Sequence, residues 1–94
     1  MKTNTNRSID LISNEVSKCL EGLSIYEMTV WVRDHAQHLK WVCNYNKSKV
    51  DATIQPFMDV SYVFYKNFRD DLDVVDDFRE LCVSCVLQLE INCK

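Results

Sequence analysis

The sequence predicts an all-α fold, a small antiparallel bundle of about four helices formed by a single domain over residues 1–94. Three observations lead to this prediction. The chain is 47% hydrophobic and 27% charged, a balance typical of a globular domain with one core. It contains one glycine and one proline, too few breakers for many short strands joined by turns. Its apolar residues recur at steps of three and four, which is the helical period.

The first two predicted helices cover approximately residues 8–21 and 25–45. Gly22 separates them and can adopt the left-handed conformation that closes a helix. Ser24 and Glu27 have the spacing of a capping box, so they predict the start of the second helix. The expected buried stripe of that helix consists of Ile25, Met28, Val32, His35, Leu39 and Val42.

The third and fourth predicted helices cover approximately residues 53–69 and 74–92. Because proline is tolerated in the first turn of a helix, Pro56 places the start of the third helix near residue 53. Asp73 is the expected N-cap of the fourth helix, which is apolar on nearly all sides. A three-helix packing with a loosely attached first helix is the alternative to the four-helix bundle.

The N-terminus and the cysteines bear on where the protein works. Residues 1–7 are polar and lack the apolar segment of a signal peptide, and we expect them to be disordered. No apolar run is long enough to cross a bilayer. The five cysteines are an odd number, which favours free thiols in a reducing compartment. The expected location is therefore the cytoplasm, with no contact to a membrane.

Few residues offer catalytic or metal chemistry. His35 and His38 lie one helical turn apart and Cys43 follows, so these three are weak candidates for metal ligands, without a fourth group at ligand spacing. Cys82 and Cys85 form a C-x-x-C within a predicted helix, where packing is favoured over redox chemistry. With one glycine, the chain has no phosphate-binding loop or nucleophile elbow. We expect no enzymatic activity and no cofactor.

Negative charge is concentrated in the second half of the chain. The net charge is −3, and residues 51–94 carry nine Asp/Glu against four Lys/Arg. This asymmetry argues against nucleic acid and favours a basic protein partner. Nearby aromatic side chains would supply the contact area, and a merely solvated face is the alternative. The predicted partner-binding residues are an acidic run of Asp70, Asp71, Asp73, Asp76, Asp77 and Glu80, with Tyr62, Tyr65 and Phe68.

These observations favour a small acidic cytoplasmic protein-binding module. We expect an inhibitor or neutraliser, of the immunity-protein, antitoxin or phage anti-defence type, whose target is a basic toxin or nuclease. The alternative is a self-associating structural or adaptor protein, a homodimer formed through the fourth helix or through the face of Trp31 and Trp41. A metal- or thiol-dependent sensor is a third hypothesis.

Overall fold

The computed structural model describes the backbone of residues 3–94 and the side chains from residue 9 onward. It consists of four helices: α1 (Thr3–Leu20), α2 (Ile25–Trp41), α3 (Lys47–Phe68) and α4 (Leu72–Asn92). The described residues contain no strand, and the predicted all-α bundle is confirmed. No helix in this part of the chain is long and apolar enough to span a membrane.

Helices α2, α3 and α4 all pack against one another, whereas α1 packs chiefly against α4. Helices α2 and α3 are antiparallel, because Lys40 bonds to Asp51 near one end while the rings of Tyr26 and Tyr65 lie 6.1 Å apart near the other. The core lies between the four helices and is formed by Val16, Leu20, Ile25, Met28, Val32, Ala36, Leu39, Val50, Phe57, Phe78, Cys82, Cys85, Val86, Leu89 and Cys93.

Helix α1 begins at Thr3, earlier than the predicted start near residue 8. The disorder expected for residues 1–7 stays a prediction, and residues 1 and 2 lie outside the described chain. After α1, Gly22 adopts φ 76°, the left-handed conformation expected of it.

The capping box that starts α2 is present. Ser24 Oγ accepts a hydrogen bond from the Glu27 amide at 3.1 Å, and Glu27 Oε1 accepts one from the Ser24 amide at 2.9 Å. The helix ends at Trp41 rather than near residue 45, and Asn44 has the positive φ of a turn, 61°. This polar residue tolerates that conformation better than most.

The predicted stripe of α2 is wrong at two positions. Ala36, not His35, is buried against the core, and Val42 is 70% exposed beyond the end of the helix. The observed stripe advances by steps of 3, 4, 4 and 3 residues through Ile25, Met28, Val32, Ala36 and Leu39. The predicted order through His35 covers the same 14 residues from Ile25 to Leu39 in the same four steps, so helical spacing alone does not distinguish His35 from Ala36. His35 lies beside the core, with its side chain 24% exposed.

The predicted start of α3 is also wrong. The helix begins at Lys47, where Asn46 caps it by accepting a hydrogen bond from the Lys49 amide at 3.0 Å. Pro56 therefore lies in the helix interior, where its nitrogen has no hydrogen to donate to the carbonyl of Ala52. The early start of α3 is explained by Val50, which lies before the proline and is fully buried. Packing of this first turn against the other helices offsets the hydrogen bond that Pro56 cannot make.

Helix α4 begins at Leu72, and its N-cap is Asp71 instead of the predicted Asp73. The Asp71 carboxylate accepts hydrogen bonds from the amides of Asp73 and Val74, at 3.0 and 3.2 Å. One carboxylate thus satisfies two of the amides that the first turn leaves without helical partners. Asp73 lies inside that turn, where its negative charge interacts favourably with the positive end of the helix dipole.

Candidate functional site

The acidic run occupies the α3–α4 turn and the outward face of α4, and all six of its residues are exposed. Asp76 forms an ion pair with Arg79 at 2.8 Å. Asp73, Asp77 and Glu80 have no ion pair among the described side chains. These three carboxylates recur at steps of four and three, so they lie on one face of α4. We refer to them as the acidic face.

The predicted aromatic contacts Tyr62 and Tyr65 lie on α3, whereas the acidic face belongs to α4. Tyr62 and Tyr65 lie on the exposed surface of α3, and Tyr65 approaches Tyr26 of α2. Each ring has a cation beside it, Lys66 Nζ 5.6 Å from the Tyr62 ring and the Arg69 guanidinium 5.3 Å from the Tyr65 ring. The tyrosines therefore lie in a region with its own positive charges.

Phe68 is the one predicted aromatic residue beside acidic residues. It is 44% exposed at the end of α3, and its ring lies 6.2 Å from that of Phe64. An open hollow at the α3–α4 turn is lined by both Phe68 and Asp70, together with Leu72, which is 80% exposed. Lys66 and Arg69 also line this hollow, so the turn combines exposed apolar side chains with charges of both signs.

A hydrogen-bonded cluster that was not predicted from the sequence joins α2, the α2–α3 loop and α4. His35 Nε2 lies 2.9 Å from Glu90 Oε2, and the Tyr45 hydroxyl donates to Glu90 Oε1 at 2.9 Å. Because an ionised carboxylate only accepts hydrogen bonds, His35 Nε2 carries the proton in this contact. Burial, together with the hydrogen bond to Glu90 and its charge, raises the pKa of Tyr45 to about 12. Glu90 thus holds two donors from separate parts of the chain.

The three weak metal candidates do not converge. His35 is engaged by Glu90, while His38 and Cys43 are exposed. The imidazole rings of the two histidines are 6.5 Å apart. Within the described ranges, no group of three or more His, Cys, Asp or Glu residues is arranged to hold a metal ion.

The cysteines divide into buried and exposed thiols. Cys82, Cys85 and Cys93 are buried in the core, and Cys19 and Cys43 are exposed. Burial raises the pKa of the Cys82 and Cys85 thiols to about 12, so both remain protonated and poorly nucleophilic at neutral pH. Cys93 is 1% exposed despite its place next to the C-terminus, because it packs beside Thr53 of α3 at 3.5 Å.

The two tryptophans also belong to different surroundings. Trp31 is partly buried and packs against the core, with its ring stacked on His35 at 5.3 Å. Trp41 is 65% exposed, and Lys40 and Lys47 lie near its ring, at 5.3 and 5.0 Å. On α4, the other helix of the predicted homodimer, Ile91 is 52% exposed.

A small cleft opens where α1 meets α2 and α4. Its volume is about 200 Å³. Its walls are mostly apolar, and carboxylates from two helices also line it. The lining residues are Ile12, Glu15, Val16, Cys19, Trp31, His35, Val86 and Glu90.

Comparison with protein-family models, with curated proteins and with solved structures found no match for this chain. We therefore infer function from the residues and their arrangement.

Proposed function

We propose that the protein is a small acidic binding module that neutralises a basic protein in the cytoplasm, in the manner of an immunity protein, an antitoxin or a phage anti-defence protein. The observation that carries this proposal is the acidic face of α4. Asp73, Asp77 and Glu80 are exposed there on a rigid helix, and the described side chains include no cation paired with them.

The position of the positive side chains supports the proposal. Lys66 and Arg69, the cations of the α3 end, lie against the tyrosine rings of that helix. Arg79 pairs with Asp76, next to the acidic face on the same helix. Unpaired exposed carboxylates on one helix produce a negative field that accelerates association with a positively charged partner. The exposed Leu72 and Phe68 at the neighbouring turn offer apolar area for the same contact.

The test is affinity capture from the native host lysate at low and high salt, comparing two triple variants. One variant reverses the acidic face with Asp73→Lys, Asp77→Lys and Glu80→Lys. The matched control makes the same charge change at exposed carboxylates on other helices and turns, with Asp10→Lys, Glu21→Lys and Asp59→Lys. Asp71 is left unchanged in both, because it caps α4. Circular dichroism verifies that both variants are folded.

We expect a basic protein to be captured by the wild type and by the control, and to be lost from the acidic-face variant. Capture should weaken as the salt concentration rises, since salt screens exposed charges. Equal capture by both variants would reject the acidic face as the binding surface, and would leave it as a solvated face.

A self-associating protein is the second candidate function. The observation that favours it is the exposure of large apolar side chains on α4 and at the end of α2, with Leu72 80%, Trp41 65% and Ile91 52% exposed. Sedimentation velocity over a range of protein concentrations tests it. A dimer that persists at high salt and dissociates in Ile91→Lys would support a homodimer through α4, and a monomer at all concentrations would reject it.

A further inference from the structure

The cleft between α1, α2 and α4 combines apolar walls with an excess of negative charge. Ile12 and Trp31 are partly exposed apolar residues of its lining, Val16 and Val86 are buried, and Glu15 and Glu90 add carboxylates. Neither glutamate forms an ion pair with a lysine or arginine among the described side chains. A ligand that fits this lining must be cationic and must carry an apolar segment.

The donors already bound to Glu90 leave its charge in place. The Tyr45 hydroxyl is a neutral donor, and a neutral imidazole of His35 is another. Each carboxylate oxygen accepts one of these hydrogen bonds and has capacity for a second. The Glu90 side chain is 21% exposed, so a group entering the cleft can reach it. Both donors also fix the orientation of the carboxylate before any ligand arrives.

An aromatic pair forms one part of the cleft. The rings of Trp31 and His35 are nearly parallel, with an interplanar angle of 8° and centroids 5.3 Å apart. Planar cations stack favourably on the faces of aromatic rings, tryptophan above all. Guanidinium combines this planarity with donors that match a carboxylate, whereas ammonium is a strongly hydrated point charge.

We propose that this cleft seats one arginine side chain of the protein partner. The volume of about 200 Å³ is below the usual range for small-molecule pockets, roughly 300–1,000 Å³, and suits a single long side chain. The guanidinium donates to Glu90 and Glu15 beside the aromatic pair, and the methylene segment of the arginine packs on the partly exposed Ile12. This inference rests on the proposed function, because it names the anchoring residue of the basic partner.

The cleft can be tested without the partner, by titration with N-acetyl-arginine amide at pH 8. Trp41→Phe leaves Trp31 as the sole tryptophan, so the fluorescence reports from the cleft alone. The neutral comparison compound is N-acetyl-citrulline amide, which has nearly the same shape and no charge. We expect saturable binding of the arginine compound, with half-saturation at about 1 mM for a ligand of this size, and at least tenfold weaker binding of the citrulline compound.

Two variants in the Trp41→Phe background locate the charge that recognises the ligand. Glu15→Gln changes an exposed residue of α1. Glu90→Gln keeps one acceptor oxygen, for His35, and its amide NH2 can donate to the Tyr45 hydroxyl, which then acts as the acceptor. Each should weaken binding of the arginine compound by about tenfold, the effect of ~1.4 kcal/mol. The control is Asp59→Asn, which changes an exposed carboxylate of α3 outside the cleft and should leave binding unchanged.

Two exposed cysteines provide a second readout that needs no variant. Cys19 lines the cleft, and Cys43 does not. The arginine compound should slow the alkylation of Cys19 by iodoacetamide while the alkylation of Cys43 keeps its rate. Mass spectrometry of tryptic peptides measures both rates in the same sample.

The results separate this inference from the proposed function. Absence of saturable binding, equal binding of the two compounds, or equal protection of both cysteines would overturn the arginine anchor. None of these outcomes involves the acidic face, which the capture experiment tests with Glu15 and Glu90 intact. Loss of capture in the acidic-face variant, with no response in the cleft, would therefore retain the neutraliser and reject its arginine anchor.

Discussion

Replacing Glu90 with alanine removes the acceptor that joins three separate parts of the chain. In the wild type, its two carboxylate oxygens accept hydrogen bonds from His35 of α2 and from Tyr45 of the α2–α3 loop, each at 2.9 Å. The alanine variant leaves both donors partly buried with no protein acceptor. We expect Glu90→Ala to lower the free energy of unfolding more than any substitution of a fully exposed carboxylate.

The size of the effect follows from the number and the surroundings of the hydrogen bonds. A hydrogen bond to a charged group contributes roughly 1.5–3 kcal/mol when buried. Here the side chains of His35 and Glu90 are 24% and 21% exposed, so water replaces part of what is lost. We therefore expect a loss of about 2–3 kcal/mol for the pair. A domain of this length has a total stability of roughly 5–14 kcal/mol, so the loss is a substantial fraction of the total.

Urea unfolding followed by circular dichroism measures this loss, which should lower the midpoint by about 1–2 M. Glu80→Ala, at an exposed site of the same helix, is the control and should change stability by less than about 0.5 kcal/mol. A double-mutant cycle isolates the hydrogen bond to Tyr45. Tyr45→Phe should cost about 1 kcal/mol in the wild type and close to nothing in Glu90→Ala. Equal costs in the two backgrounds would show that Tyr45 does not stabilise the protein through Glu90.

The same cluster predicts how stability changes at alkaline pH. The pKa of Tyr45 rises from 10.0 to about 12 on folding, so the neutral phenol is favoured in the native state. Its contribution is complete below pH 10 and is lost as the pH rises from about 10 to 12. Tyr45→Phe has no phenol to ionise and should lose less stability over this range. Folding also raises the pKa values of Cys82 and Cys85. The stability lost when these thiols ionise is therefore the same in the wild type and in Tyr45→Phe.

Three further predictions concern the helices and the thiols. Pro56→Ala restores a backbone hydrogen bond inside α3, and should stabilise the protein by about 1–2 kcal/mol after allowing for the freer unfolded chain; an unchanged melting temperature would contradict this. Asp71→Ala removes the N-cap of α4 and should cost about 1 kcal/mol, whereas equal losses in Asp71→Ala and its neighbour Asp70→Ala would count against the cap. A thiol reagent should react quickly with Cys19 and Cys43 and slowly with the three buried cysteines until denaturant is added.

Features that depend on neighbouring residues were predicted well from the sequence. The capping box of Ser24 and Glu27 and the left-handed Gly22 both lie where they were expected, because a few consecutive residues determine them. The start of α3 was not predicted, because Pro56 favours a later start and the burial of Val50 overrides that local preference. Burial depends on how the helices pack, and residue spacing within one helix does not contain that information.

The two candidate sites differ in whether local spacing in the sequence predicts them. The carboxylates of the acidic face lie within eight residues of one helix, from Asp73 to Glu80, so helical spacing alone places them together. The contacts of Glu90 join residues that are 55 and 45 positions apart in the sequence, so no local pattern predicts them. His35 illustrates the difference, since its spacing suggested a core position or a metal ligand and packing made it a hydrogen-bond donor to α4.

The packing of α1 determines which of the two sites can exist without the other. The acidic face requires only that α4 be helical, because its carboxylates project from a single helix. The cleft requires α1 to be packed against α4, since Ile12, Glu15 and Val16 supply one side of it. Helices α2, α3 and α4 pack against one another, whereas α1 depends chiefly on α4. A partner that used both sites would be attracted by the charges on α4. By occupying the cleft, it would also stabilise the packing of α1 against α4.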